Sequence, residues 1–222
     1  MGRGLLIQPS FLGTDNALML DAVRRYPHRL KAVVVLDPDV PDDRLDQLAA
    51  QGAVGVRYNL IGLPLVDFAQ GPYPALHRRL AERGWHVEVH RESRDLPKLL
   101  APLVEQGVRI AVDHFGRPDP GAPLEDPAFK FLLGLGAQGK TWIKISGAYR
   151  CGGDAIATTL TNRLLEAYPP ERLLWGSDWP HTQHESLVTY GSTHALFERS
   201  IPDTATRQRI LEDAPAALLG EI

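Results

Sequence analysis

The chain has 222 residues, 44% of them hydrophobic and 23% charged, which is ordinary globular usage and excludes a disordered, collagenous or coiled-coil chain. A single cysteine excludes an internal disulfide framework and a cysteine-based zinc cluster. The net charge of −3 leaves no basic field to hold nucleic acid, and no run approaches the ~18 apolar residues of a membrane span. With no signal-peptide pattern at its start, the chain is expected to be a soluble, cytoplasmic protein. Gly4–Pro9 has the apolar pattern of a short buried strand, and Thr14–Tyr26 repeats apolar residues at helical spacing. The same alternation then recurs. Strands are expected at Lys31–Leu36, Val54–Leu60, Trp85–His90, Val108–His114, Trp142–Ser146 and Leu173–Gly176. Helices are expected at Asp42–Gln51, Tyr73–Arg83, Asp95–Gln106, Asp126–Leu135 and Gly153–Ala167, with a helical tail over Ser192–Ser200 and Asp203–Leu219.

Nearly continuous apolar strands such as Ala32–Leu36 imply burial on both faces, as in a parallel sheet covered by helices. No composition break marks a second domain, so residues 1–222 are expected to form one. The pattern leaves two architectures: an open doubly wound sheet, or a (β/α)8 barrel one unit short.

Gly134–Thr141 (GLGAQGKT) fits the phosphate-binding pattern G-x-x-x-x-G-K-[ST] at every fixed position. That chemistry needs a strand before the loop and a helix after it, so that the helix N-terminus faces the phosphates. Here the loop follows a helical pattern and precedes the strand TWIKIS. These glycines are therefore expected to end a helix.

Chemically capable side chains gather at the C-terminal ends of the strands: Gln8, Ser10, Asp37, Arg57, Asn59, His90, Arg91, His114, Arg117, Tyr149, Arg150, Asp178 and His181. That end is where α/β sheets and barrels build active sites. Asp178 stands where GSDWP stops the last strand, and a carboxylate there can take a proton from water, orient an imidazole or bind a metal. His114, within VDHFGRPD, can polarise a carbonyl oxygen. His181 and His184 have ligand-like spacing but fall in an irregular polar loop, where exposure to solvent is expected. Four arginines at or beyond strand ends, Arg57, Arg91, Arg117 and Arg150, offer planar forks for carboxylates if they converge.

These residues resemble a known family. GLLIQPSFLGTDN, GVRYNLIG, AVDHFGRPD, KISGAYR and LLWGSDWPH are similar, in order and across nearly the whole chain, to the amidohydrolase-related TIM-barrel hydrolases, in particular their 2-pyrone-4,6-dicarboxylate lactonase-like branch. The resemblance implies a (β/α)8 barrel that hydrolyses a lactone or related acyl compound. It further implies Asp178 as the carboxylate that activates water, His114 as a later-strand histidine and Arg117 as a contact to a substrate carboxylate. Family members begin with a strand ending in His-x-His, and no H-x-H occurs in this sequence. The expectation is therefore an N-terminally incomplete barrel whose seven strands correspond to strands two to eight.

The leading expectation is a hydrolase of an anionic lactone or ester, with Asp178 as base, His114 as electrophilic helper and Arg57, Asn59, His90, Arg117 and Arg150 around a small polycarboxylate. A metal-dependent decarboxylase of the same barrel class and a catalytically inactive anion-binding homologue are the alternatives. No metal is assigned: a divalent ion such as zinc would lack the two usual histidine ligands. Removing the first strand of a closed barrel would expose the edges at Gly4–Pro9 and Leu173–Gly176. Weak stability and self-association through those edges are expected.

Overall fold

The structure is a computed structural model that describes residues 2–220, so the ends of the 1–222 domain expectation lie outside the described residues. Seven strands form where apolar, β-branched runs are bounded by turn residues. They are β1 (Gly4–Ile7), β2 (Leu30–Val34), β3 (Ala53–Asn59), β4 (His86–His90), β5 (Arg109–Val112), β6 (Thr141–Ile145) and β7 (Leu173–Trp175). They hydrogen-bond in chain order from β1 to β7. β1 runs parallel to β2, β2 to β3 and β6 to β7, with a register irregularity between Ala32 and Val33. Parallel neighbours in chain order, each followed by a helix, are the connectivity of a TIM-type barrel.

The helices are α1 (Ala17–Arg25), α2 (Asp42–Ala50), α3 (Tyr73–Glu82), α4 (Leu96–Glu105), α5 (Pro127–Leu135), α6 (Asp154–Ala167), α7 (Tyr190–Ser200), α8 (Thr204–Gln208) and α9 (Ala214–Leu219). Each buries one stripe. On α6 the stripe is Ala157, Leu160, Thr161 and Leu164, the i, i+3, i+4, i+7 spacing of a single face. The chain resolves into two compact units, residues 1–89 with 99–110, and residues 90–98 with 111–222. The first is centred on Val33, Val34, Leu45, Leu48, Val56, Leu76 and Leu80, all fully buried. The second contains a cluster of Ala111, Trp142, Leu174, Ala214 and Leu218.

Two local expectations are answered here. After α5 the chain turns through Gly136–Gln138, places Gly139 at φ 75° and enters β6. The order is helix, loop, strand, and the GLGAQGKT segment is a helix end, as its neighbours implied. The tail expected to be helical over Asp203–Leu219 is helical throughout 204–219, but its middle, Arg209–Asp213, is widened to a π-helical stretch between α8 and α9. The cause is Pro215, which has no N–H to continue the α-helical ladder back to Leu211.

Candidate active site

The site of the second unit begins where β5 ends. Asp113 is followed by four residues in the left-handed region: His114 at φ 50°, Phe115 at 56°, Gly116 at 75° and Arg117 at 48°. Non-glycine residues rarely adopt this conformation, which costs each roughly 1–2 kcal/mol, so the surroundings must hold the turn. They do. The Ser93 N–H donates to the Arg117 carbonyl, the Ser93 hydroxyl donates to Asp126, and Asp126 also accepts from the Asp119 N–H while capping α5 through the Ala128 N–H.

The turn aims His114 inward, 2% exposed. Its Nδ1 lies 2.8 Å from the Ser146 hydroxyl, and its Nε2 faces Asp178 Oδ1 at 3.7 Å. Asp178, itself left-handed at φ 57°, follows β7. Its Oδ2 accepts from the Tyr149 hydroxyl at 2.5 Å and from Arg150 Nε at 2.7 Å. Gly147 makes the approach possible: a Cβ there would lie 2.8 Å from His114 Nδ1 and 3.2 Å from Asp178 Oδ2. His90, at the end of β4, meets the His114 ring edge-on with centroids 4.7 Å apart.

Burial alone would raise the Asp178 carboxyl. His114, the Tyr149 hydroxyl and the Arg150 guanidinium together reverse that and hold it below the usual carboxylate range. Burial, and then the adjoining Asp178 charge, push the Tyr149 phenol well up, so it stays a neutral donor. The structure thus brings His90, His114, Tyr149, Arg150 and Asp178 together, although 64 positions separate His114 from Asp178 in the sequence.

The arginines divide. Arg150 is held by Asp178 and by the Thr182 carbonyl, to which Nη2 donates at 3.1 Å. Arg91 pairs with Glu92 and Asp95. Arg117 has no side-chain hydrogen bond or ion pair among the described residues, and is the cation of the left-handed turn still able to take an anion. Arg57 and Asn59 lie on β3 in the first unit. There the Arg57 guanidinium faces Glu88 at 3.4 Å and donates to the Gln8 carbonyl at 3.1 Å, while Asn59 is half-buried.

The solvent-exposed reading of His181 is corrected: the side chain is only 4% exposed and sits edge-on to the Tyr149 ring. Successive turns, His181 N–H to the Asp178 carbonyl and His184 N–H to the His181 carbonyl, curl the loop back so that a polar segment is covered. His184 is half-buried against the same ring, with centroids 4.7 Å apart.

Three participants escaped the sequence reading: Asp113, Lys144 and Ser146. The signal for the last two is their i, i+2 spacing at the end of β6, which puts both on one face. Lys144 Nζ lies 2.7 Å from Asp113 Oδ1. His90, Asp113 and His114 place ligand-capable atoms within 4.8 Å of one another, the donor set for a divalent ion. The Lys144 ammonium already neutralises Asp113, and an ion seated there would meet that positive charge, so the arrangement does not fit a resident metal.

The chain matches the amidohydrolase family profile over residues 1–220. It is 31% identical over 229 aligned residues to a 4-sulfomuconolactone hydrolase of Hydrogenophaga intermedia, covering 99% of this chain and 75% of that protein. It is 29% identical to a 2-pyrone-4,6-dicarboxylate hydrolase of Comamonas testosteroni, covering 97% of this chain and 75% of that one. Among solved structures it superimposes, with a TM-score of 0.94 and 40% identity, on a probable 2-pyrone-4,6-dicarboxylic acid hydrolase of Acinetobacter baumannii with citric acid bound. That match covers 99% of this chain and 84% of the other.

Proposed function

The chain belongs to the amidohydrolase family, and from that premise and the geometry at the ends of β5 and β7 we propose that it hydrolyses the lactone or a related ester bond of a small polycarboxylate. The carrying observation is the His114–Asp178 pair. The 3.7 Å gap between Nε2 and Oδ1 is too wide for a direct hydrogen bond, and in this reading both atoms act on one reacting centre. Asp178 Oδ1 takes a proton from water as the water oxygen bonds to the carbonyl carbon. His114, its ring fixed by the Ser146 hydroxyl at Nδ1, donates its Nε2–H as a hydrogen bond to the carbonyl oxygen as charge develops there. The ring C–O bond then breaks, and the proton on Asp178 passes to the departing oxygen.

Tyr149 and Arg150 fix the other carboxylate oxygen, which leaves Oδ1 the reacting atom. Arg117 binds a substrate carboxylate, and His90 holds the His114 ring in place. Support for a polycarboxylate comes from Arg117 and from the relatives, whose named substrates are a sulfonated muconolactone and a pyrone dicarboxylate. A small anionic substrate and one buried cysteine suit work in the reducing cytoplasm.

The test is turnover of 2-pyrone-4,6-dicarboxylate and 4-sulfomuconolactone by the wild type and by Asp178→Asn. Asp178→Asn keeps the side-chain shape and removes the base, so kcat should fall at least about a thousandfold with an unchanged circular dichroism spectrum. Turnover within tenfold of wild type would move the base elsewhere.

A further inference from the structure

Beside the catalytic segment of the second unit lies a cavity of about 170 Å³. It is lined by the apolar Phe115, Ile145, Trp175, Leu196 and Phe197 and, to a similar extent, by polar residues that include the hydroxyl-bearing Thr161, Ser192, Thr193 and Ser200. Ser146 and Tyr149, which bond His114 and Asp178 respectively, line it as well. Thus the void adjoins the reacting pair without containing either member of it.

Size and charge define what it takes. A volume of about 150 Å³ accommodates benzene, so this cavity has room for a single six-membered ring. No lysine, arginine or histidine lines it among the described residues, and Asp154 does. A carboxylate entering here would find no cation and would meet a like charge, which costs free energy. Arg117 suits the anionic part of a ligand; this cavity suits a neutral part. We propose that the cavity is a binding site for a neutral, ring-sized group that packs on the apolar side chains and can hydrogen-bond to the hydroxyls. The group is either a substituent of the anionic substrate or a separate small aromatic molecule.

Fluorobenzene is the probe, titrated into the protein and followed by ¹⁹F NMR. Saturable binding is expected in wild type and at least tenfold weaker binding in Ala157→Leu, whose larger side chain grows into the void from α6. Leu196→Ala enlarges the void instead and should admit 1-fluoronaphthalene, which wild type rejects; this arm stands if Ala157→Leu does not fold. Two hydrolysis arms separate the sources. If fluorobenzene competes with a phenyl-bearing dicarboxylate lactone but not with the unsubstituted one, the substituent is the occupant. If it competes with neither while still binding, the occupant is a separate molecule. Absence of saturable binding, or binding that citrate displaces and Ala157→Leu leaves unchanged, overturns the proposal. The binding arm needs no turnover, so failure of the hydrolase reading leaves it readable.

Discussion

Asp178 combines a reacting oxygen with an oxygen whose lone pairs are occupied, and this division governs its response to pH. The hydrogen bond from Tyr149 stabilises the ionised carboxylate and helps hold it below the usual range. An ionised base is required, so activity is flat above the Asp178 value and falls as pH drops through it. Removing the phenol raises that value, and Tyr149→Phe is expected to move the acid limb of kcat/KM to higher pH, by about one unit for the loss of ~1.4 kcal/mol. A limb that stays in place would assign the profile to another group. Arg117 makes a different claim. Its side chain has no hydrogen-bond or ion-pair partner among the described residues, so Arg117→Ala should leave the melting temperature unchanged while raising KM for a dicarboxylate lactone roughly ten- to hundredfold and sparing its methyl ester. Equal losses on the charged and esterified substrates would make Arg117 a support of the left-handed turn and not a carboxylate contact. Asp178, His114 and Arg117 were legible in the sequence because strand-end position and motif both mark them. Asp113, Lys144 and Ser146 were not, because a lysine and a serine on a strand are ordinary until the neighbouring strand supplies their partners.

At the level of elements, the first unit carries a polar group in an aromatic nest. On α3, His77 is fully buried; its Nε2 lies 3.2 Å from the Tyr58 hydroxyl of β3 and its Nδ1 3.0 Å from the Gln106 side chain that follows α4. Phe68 and Tyr73 pack on the same ring. Burial disfavours the imidazolium and, against the opposing Gln106 hydrogen bond, lowers the His77 pKa to about 4. In the unfolded chain it titrates near ~6.5. Between these values the unfolded state binds a proton that the folded state refuses, so the contribution to stability is complete above pH ~6.5 and is lost as pH falls toward 4. The loss is about 3 kcal/mol across that window. Urea titrations from pH 7 to pH 4 should show this slope in wild type and a flatter one in His77→Leu; parallel curves would sink the assignment. Neither the nest nor the π-helical turn before Pro215 could be read from periodicity. Tyr73–Arg83 is a sound helical pattern whichever residue is buried within it, and a proline in an apolar tail does not announce whether the helix kinks, widens or stops. Where an element's existence depended on local pattern alone, as in the strand-then-helix alternation, the sequence reading and the structure agree closely.

For the whole molecule, the seven-strand order follows from connectivity: parallel strands joined by single helices become neighbours in chain order. That order also sets a hazard, because among the described residues its first and last strands each have one neighbour in the sheet. The two ends are unequal. In β7, Leu173 and Leu174 are buried, whereas all four residues of β1, Gly4 to Ile7, are half-exposed. An edge of Leu5, Leu6 and Ile7 without a charged side chain is the kind that pairs with another copy, since strand addition satisfies backbone groups and buries apolar area at about 25 cal/mol per Å². We therefore expect association through β1, visible by sedimentation velocity as a rise in sedimentation coefficient between about 1 and 100 μM, the range that reads a dissociation constant of about 1–100 μM. Leu5→Lys places a charge on that edge and should return the protein to the monomer at every concentration, with the hydrolase assay unchanged per chain. A single monomeric species from wild type across the whole range would show that β1 is covered in solution, and the same dimer in Leu5→Lys would place the contact elsewhere.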